Sequence, residues 1–103
     1  MLPFRLHREA AAELDDVAAA YAREDPELAD RWLTAFEMTL DTVRLFPAVG
    51  PFLRVAVRPL PRRIVVDEFP FSIIYQSQRG RIDVLAVAHH RRHPLYWASR
   101  RMT

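Results

Sequence analysis

The side chains best suited to chemistry gather in one run near the C-terminus, His89-His90-Arg91-Arg92-His93, followed by Tyr96, Trp97, Arg100 and Arg101. Histidine can exchange the proton of a ribose 2′-hydroxyl, arginine can stabilise a charged phosphorane, and tyrosine or tryptophan can stack a base. A ribonuclease built on this run would use His89 or His90 as acid or base, Arg91 and Arg92 on the scissile phosphate, and Tyr96 or Trp97 for stacking. The same residue types also make an adhesive surface, because arginine presents a planar fork of donors and aromatic rings supply anchors. Three histidines invite a metal, yet no nearby Asp or Glu completes a familiar ligand spacing, and the surrounding arginines oppose a cation. No metal and no cofactor is therefore expected, and with no cysteine in the chain a thiol nucleophile and a disulfide are both excluded. Structural roles compete for several of these positions. Tyr96 and Trp97 can pack a terminal helix against a sheet, His89 can pack or cap at a strand end, and Arg62 and Arg63 can solvate an edge strand.

These residues must be positioned by a scaffold whose pattern changes midway along the chain. Leu2 to Leu6 alternate enough for a short strand, with Pro3 tolerable near its start. From His7 to Arg23 the sequence is rich in Ala and Glu, and Leu14, Val17, Ala18 and Tyr21 form one helical stripe. Asp25-Pro26 then supplies an N-cap and a first-turn proline for a second helix. Its stripe is Leu28, Trp32, Ala35, Phe36, Thr39, Leu40 and Val43, and it must stop at or before Phe46 because Pro47 follows. Trp32 and Phe36 belong to the core. After Pro47-Ala48-Val49-Gly50-Pro51 the period becomes that of strands: Arg63 to Glu68, Phe71 to Gln76 and Ile82 to Ala88 form a meander through Phe69-Pro70 and Gln78-Arg79-Gly80-Arg81. Arg54 to Arg58 either extends the first of these strands or forms a separate edge piece. Ile82 to Ala88 is apolar on both faces, as expected of a strand covered on both sides by helices or by a partner. Pro94 to Arg100 suits a short terminal helix. The order gives an α+β fold, βααβββ, with an N-terminal helical hairpin on one face of an antiparallel sheet and the other face open to a partner.

A length of 103 residues suits one core, so a single domain over 1–103 is expected. No apolar run approaches the roughly 18 residues of a membrane span, and the first residues lack an export pattern, so cytoplasmic residence and no membrane partner are expected. The net charge of +2 hides an asymmetry. Residues 1–48 carry five arginines against ten carboxylates, and residues 49–103 carry ten against three. The basic half points to an anionic partner, nucleic acid or acidic protein.

Taken in order, the alanine-rich helix ending in Tyr21, Leu45-Phe46-Pro47 before a Gly-Pro, Val57-Arg58, Phe69 to Tyr75, and Val84 to Trp97 with its His-x-Arg-Arg-x-Pro-x-Tyr-Trp ending resemble the RelE/ParE toxin superfamily. The likeness is nearest to the plasmid-stabilisation ParE-like branch and covers nearly the whole chain. The resemblance implies the same βααβββ fold and a toxin of a type II toxin-antitoxin system, bound and silenced by a cognate antitoxin in a hetero-oligomer. RelE-like ribonucleases carry basic side chains on the central strand, where this chain has Ser72, Ile74 and Gln76. That departure favours a non-catalytic, ParE-like inhibitor of DNA gyrase, docking through Arg58, His90, Arg91, Arg92, Tyr96, Trp97 and Arg100. The rival readings are an endoribonuclease acting on messenger RNA, alone or with the ribosome, and a degenerate copy that binds antitoxin without toxicity. Arg58 lies where the family tends to place an arginine, and a fold role through Asp67 or Glu68 is its alternative.

Overall fold

The computed structural model describes residues 1–102. In chain order it contains β1 (Phe4–Leu6), α1 (Arg8–Glu24), α2 (Pro26–Leu45), β2 (Arg62–Val65), β3 (Phe71–Gln78) and β4 (Arg81–His89). Asp25 forms the joint between the helices: its backbone N–H closes α1 on Tyr21 O, while its Oδ1 accepts from Glu27 N at 3.0 Å to open α2. Pro26 at the first position of α2 forfeits only a donor that has no intrahelical partner. At the other end Pro47 forbids another helical turn, and Phe46 N donates to Thr42 O as the last bond.

The four strands lie in the order β1-β4-β3-β2. The sheet is mixed, which corrects the antiparallel expectation: β2, β3 and β4 form the antiparallel meander, but β1 pairs parallel with β4, Phe4 opposite Ile82 and Leu6 opposite Val84. The cause lies in the helical hairpin. Helices of 17 and 20 residues nearly cancel in length, and the end of α2 is tied back to the start of β1 by Leu2 N to Arg44 O (3.1 Å) and Arg44 Nε to Leu2 O (2.7 Å). The strand after the hairpin therefore runs in the same sense as β1. Two tight reversals later β4 does too.

One face of the sheet carries the helices. Trp32 is fully buried there among Phe36, Tyr21, Phe69 and Phe71, with ring centroids 4.9–6.2 Å apart. The opposite face was expected to be open to a partner, and its centre is not. Ile74, Leu85 and Ala86 are covered by Trp97, 1% exposed, with Leu53, Val55 and Val57 packed alongside. The apolar character of β4 on both faces is thus satisfied by helices on one side and by the chain's own loop and tail on the other. The tail is not a helix. Residues 94–99 form successive turns, with Tyr96 N to His93 O, Ala98 N to Leu95 O and Arg100 N to Trp97 O, each spanning three residues. So short a segment gains too little from helical bonds to offset nucleation; packing of Trp97 fixes it instead. Residues 54–58 form no strand, and a single bridge, Phe52 with Arg62, marks the edge there.

Candidate functional surface at the end of the last strand

Alternation along β3 places Ser72, Ile74 and Gln76 on the face away from the helices. Ser72 and Gln76 are buried there. Gln76 donates from Nε2 to Pro59 O at 2.8 Å, which spends its amide on the 46–61 loop. Ser72 Oγ is the centre of a short polar chain: Arg63 Nε donates to it at 3.0 Å and His90 Nε2 lies 2.9 Å away. Because Arg63 can only donate, the serine proton is free to point at His90. Arg63 therefore does more than solvate the β2 edge. Arg62 likewise donates to Gly50 O at 2.8 Å and stacks over Phe52 at 3.7 Å.

The Ser72 and His90 pair lies in a cleft of about 260 Å³, with Arg92 and His93 on its rim and Tyr96 and Trp97 in its wall. The run from His89 onward separates within it into anchored and free residues. His89 stands edge-on to Phe71, centroids 4.9 Å apart, and its Nδ1 accepts from Arg91 N at 3.0 Å, a capping role at the strand end. Arg91 is exposed and makes no side-chain hydrogen bond or ion pair among the described residues. Arg92, its side chain 57% exposed, lies 4.0 Å over the Tyr96 ring and 4.0 Å from Glu13 Oε2. His93 is exposed, and the three histidines do not gather into a metal-ligating group.

Tyr96 and Arg100, on either side of the buried Trp97, are drawn inward by Glu13 of α1, a residue the sequence did not single out. The Glu13 carboxylate accepts Tyr96 Oη at 2.6 Å, Arg100 Nη1 at 2.8 Å, Arg100 Nη2 at 3.0 Å and Val87 N at 3.1 Å. Arg100 also donates to Leu85 O at 2.9 Å, and its side chain is 8% exposed. Burial alone would raise the Glu13 carboxyl's pKa, but the bonds from Arg100, Tyr96 and Val87 outweigh it and hold the group below its ordinary value. Burial and the Glu13 bond push the Tyr96 phenol upward, so it stays a donor. Trp97 and Arg100 are thus held in the fold, Trp97 1% and the Arg100 side chain 8% exposed, and Tyr96 is half-buried. Arg58 is exposed and donates to Val55 O (2.8 Å) and Val57 O (3.1 Å), with no bond to Asp67 or Glu68. It braces the 53–57 loop rather than pairing with a carboxylate. The one sequence signal for Glu13 was its place one turn after Glu9, which also reaches Arg100, Oε2 to Nε at 3.5 Å.

The family model described as the ParE toxin of type II toxin-antitoxin systems, parDE, matches residues 4–94, so the Glu13-clamped tail lies largely beyond the matched span. A solved structure described as the chromosomal ParDE TA system from P. aeruginosa is similar in fold, with a TM-score of 0.71 at 21% identity over 86% of this chain and 96% of that chain. No curated protein sequence matches. The match across the helical hairpin and the meander, up to the arginines that end β4, assigns the chain to the ParE toxin family of type II toxin-antitoxin systems.

Proposed function

We propose that this protein is a toxin kept silent by a cognate antitoxin, and that once released it acts in the cytoplasm by binding DNA gyrase and trapping its cleaved-DNA state, without catalysing a reaction. The observation that carries this reading is the commitment of Tyr96, Trp97 and Arg100 to the Glu13 clamp and the buried face. A nuclease needs a stacking ring turned toward solvent, and here Trp97 is buried and the Tyr96 hydroxyl holds the tail down on Glu13. What remains outward is His90, Arg91, Arg92 and His93, a compact knob whose positive charge comes from the two arginines. Such a knob suits docking, where charges steer encounter and fix register. Apolar side chains on the helical side support the antitoxin half of the reading: Met38 is 67% exposed, Phe46 64%, Leu45 53% and Phe52 52%. An amphipathic antitoxin helix covering them gains most of its affinity from that area, and the outer edge of β1 accepts an added strand.

The Arg63, Ser72 and His90 chain favours one alternative, an endoribonuclease acting on messenger RNA with His90 as acid or base and Arg92 on the phosphate. Induction of the chain without antitoxin separates the two. Filamentous cells with a DNA-damage response are the expected result; an immediate stop of protein synthesis with cut messenger RNA overturns the gyrase reading in favour of the nuclease.

A further inference from the structure

A second cluster of arginines lies at the other end of β4. That strand has nine residues, so its ends are separated by roughly 26 Å at a strand's rise of about 3.3 Å per residue. At its starting end, around the turn between β3 and β4, Arg5, Arg58, Arg79, Arg81, Arg100 and Arg101 line a cleft of about 260 Å³. Carboxylates neutralise part of this set. Asp83, fully buried beneath the cleft, accepts from Arg5 Nε at 2.7 Å and Arg81 Nε at 3.0 Å, and Arg100 is turned toward Glu13. Arg58, Arg79 and Arg101 are exposed and have no carboxylate partner among the described residues. Arg101 Nη1 rests on Arg100 O at 3.1 Å and Arg58 Nη1 on Val55 O at 2.8 Å, so these two side chains are oriented while their remaining N–H groups face outward. Asp83 meanwhile holds Arg5 and Arg81 as a fixed floor. The basic surface continues past Arg101 to Arg8 along a neighbouring hollow.

The cleft has the wrong make-up for a protein partner. Tight protein interfaces are anchored by exposed aromatic or aliphatic groups, and none of the large exposed hydrophobic residues, Phe4, Met38, Phe46 and Phe52 among them, lines it. An unpaired nucleic-acid strand is usually gripped by stacking on aromatic rings, and no ring lines it either. Guanidinium groups without stacking partners match phosphate oxygens, which need no apolar anchor. We propose that this cleft binds the phosphodiester backbone of duplex DNA, as a contact separate from the Arg91 and Arg92 knob. Its role in holding the DNA that gyrase presents rests on the reading above; binding itself does not.

The test is anisotropy of a labelled duplex of about 20 base pairs between roughly 50 and 200 mM salt, without gyrase. The wild-type chain is compared with a double variant, Arg79→Asn with Arg101→Ala, and with Arg91→Ala/Arg92→Ala. Asparagine is chosen because Arg79 sits at φ 53°, a left-handed conformation that asparagine adopts readily. Loss of two phosphate contacts makes the slope of log K against log salt shallower by about 1.8 and weakens binding across the range. The knob variant, with the same charge change, keeps the wild-type slope. An unchanged slope in the cleft variant, or a slope lost only in the knob variant, overturns the proposal. So does tighter binding of single-stranded RNA, or of a polyglutamate peptide, than of the duplex. Gyrase inhibition by the wild-type chain is scored separately, so failure of one reading is not mistaken for failure of the other.

Discussion

Exchange of Glu13 for glutamine removes one charge and almost no volume, yet it strikes the point where α1, β4 and the tail meet. Each carboxylate oxygen serves two donors, Oε1 those of Arg100 Nη1 and Val87 N, Oε2 those of Tyr96 and Arg100 Nη2. Whichever way the amide turns, its NH₂ faces two donors. Arg100, with a side chain 8% exposed, also loses its close counter-charge. Breaking a buried pair by removing one partner costs about 3–5 kcal/mol. Glu9 remains 3.5 Å from Arg100 Nε but is 57% exposed, which places the loss near the lower end, about 3 kcal/mol. For a domain of this size that lowers Tm by roughly 12–24 °C. The sign with pH follows from the depressed pKa of Glu13: its contribution is present above the ordinary carboxylate value and is lost as pH falls through the folded one. Urea and thermal unfolding at neutral pH should show the full gap between wild type and variant, and the gap should close in acid. A loss under about 1 kcal/mol at neutral pH, less than one ordinary hydrogen bond can account for, would refute the clamp.

Other consequences follow from the same geometry. Trp97→Ala opens a cavity over Ile74 and Leu85 and should cost about 3–5 kcal/mol in urea unfolding, with hydrogen-exchange protection lost first in residues 94–100; a loss below 1 kcal/mol contradicts the burial of this ring. Gly50→Ala places a Cβ 2.7 Å from Arg63 O and 3.0 Å from the Tyr75 hydroxyl, and because the first is backbone it should destabilise by about 1–3 kcal/mol; unaltered denaturant midpoints would disprove the close approach. Asp83 has its carboxyl held down by Arg5, Arg81 and Gln78 against the upward pull of burial, so wild-type stability should fall as pH drops below about 4 while Asp83→Asn, weaker at neutral pH, loses less on acidification. Equal acid sensitivity of the two would show that Asp83 does not carry the effect.

Much of the architecture was legible because local signals agreed with one another. Asp25-Pro26 marked the joint between the helices, Pro47 marked their end, and the β-branched runs marked the meander, with bounds within two residues of those observed except at the end of β2, which stops at Val65, three residues before the expected Glu68. The parallel pairing of β1 was not legible, since it depends on the two helices being nearly equal in length and on Arg44 reaching back to Leu2. Nor was the fate of the tail. Trp97 and Arg100 look alike in sequence whether they face a target or the sheet, and the residue that decides, Glu13, lies 87 positions from Arg100 in an ordinary alanine-rich helix. Of the seven residues expected to dock, Arg58, His90, Arg91 and Arg92 are exposed, Tyr96 and Arg100 are half-buried and Trp97 is buried, with Arg58 apart on its loop.

The central claim is that Arg91 and Arg92 act by adhesion. The most direct test is a DNA-cleavage assay with purified gyrase, supercoiled plasmid and either the wild-type toxin or Arg91→Ala/Arg92→Ala. Both side chains are exposed, so the variant should unfold within about 0.5 kcal/mol of the wild type. Wild-type toxin should accumulate linear, gyrase-bound DNA and the folded variant should not. No linear DNA at saturating wild-type toxin, or equal amounts with both proteins, would contradict the account.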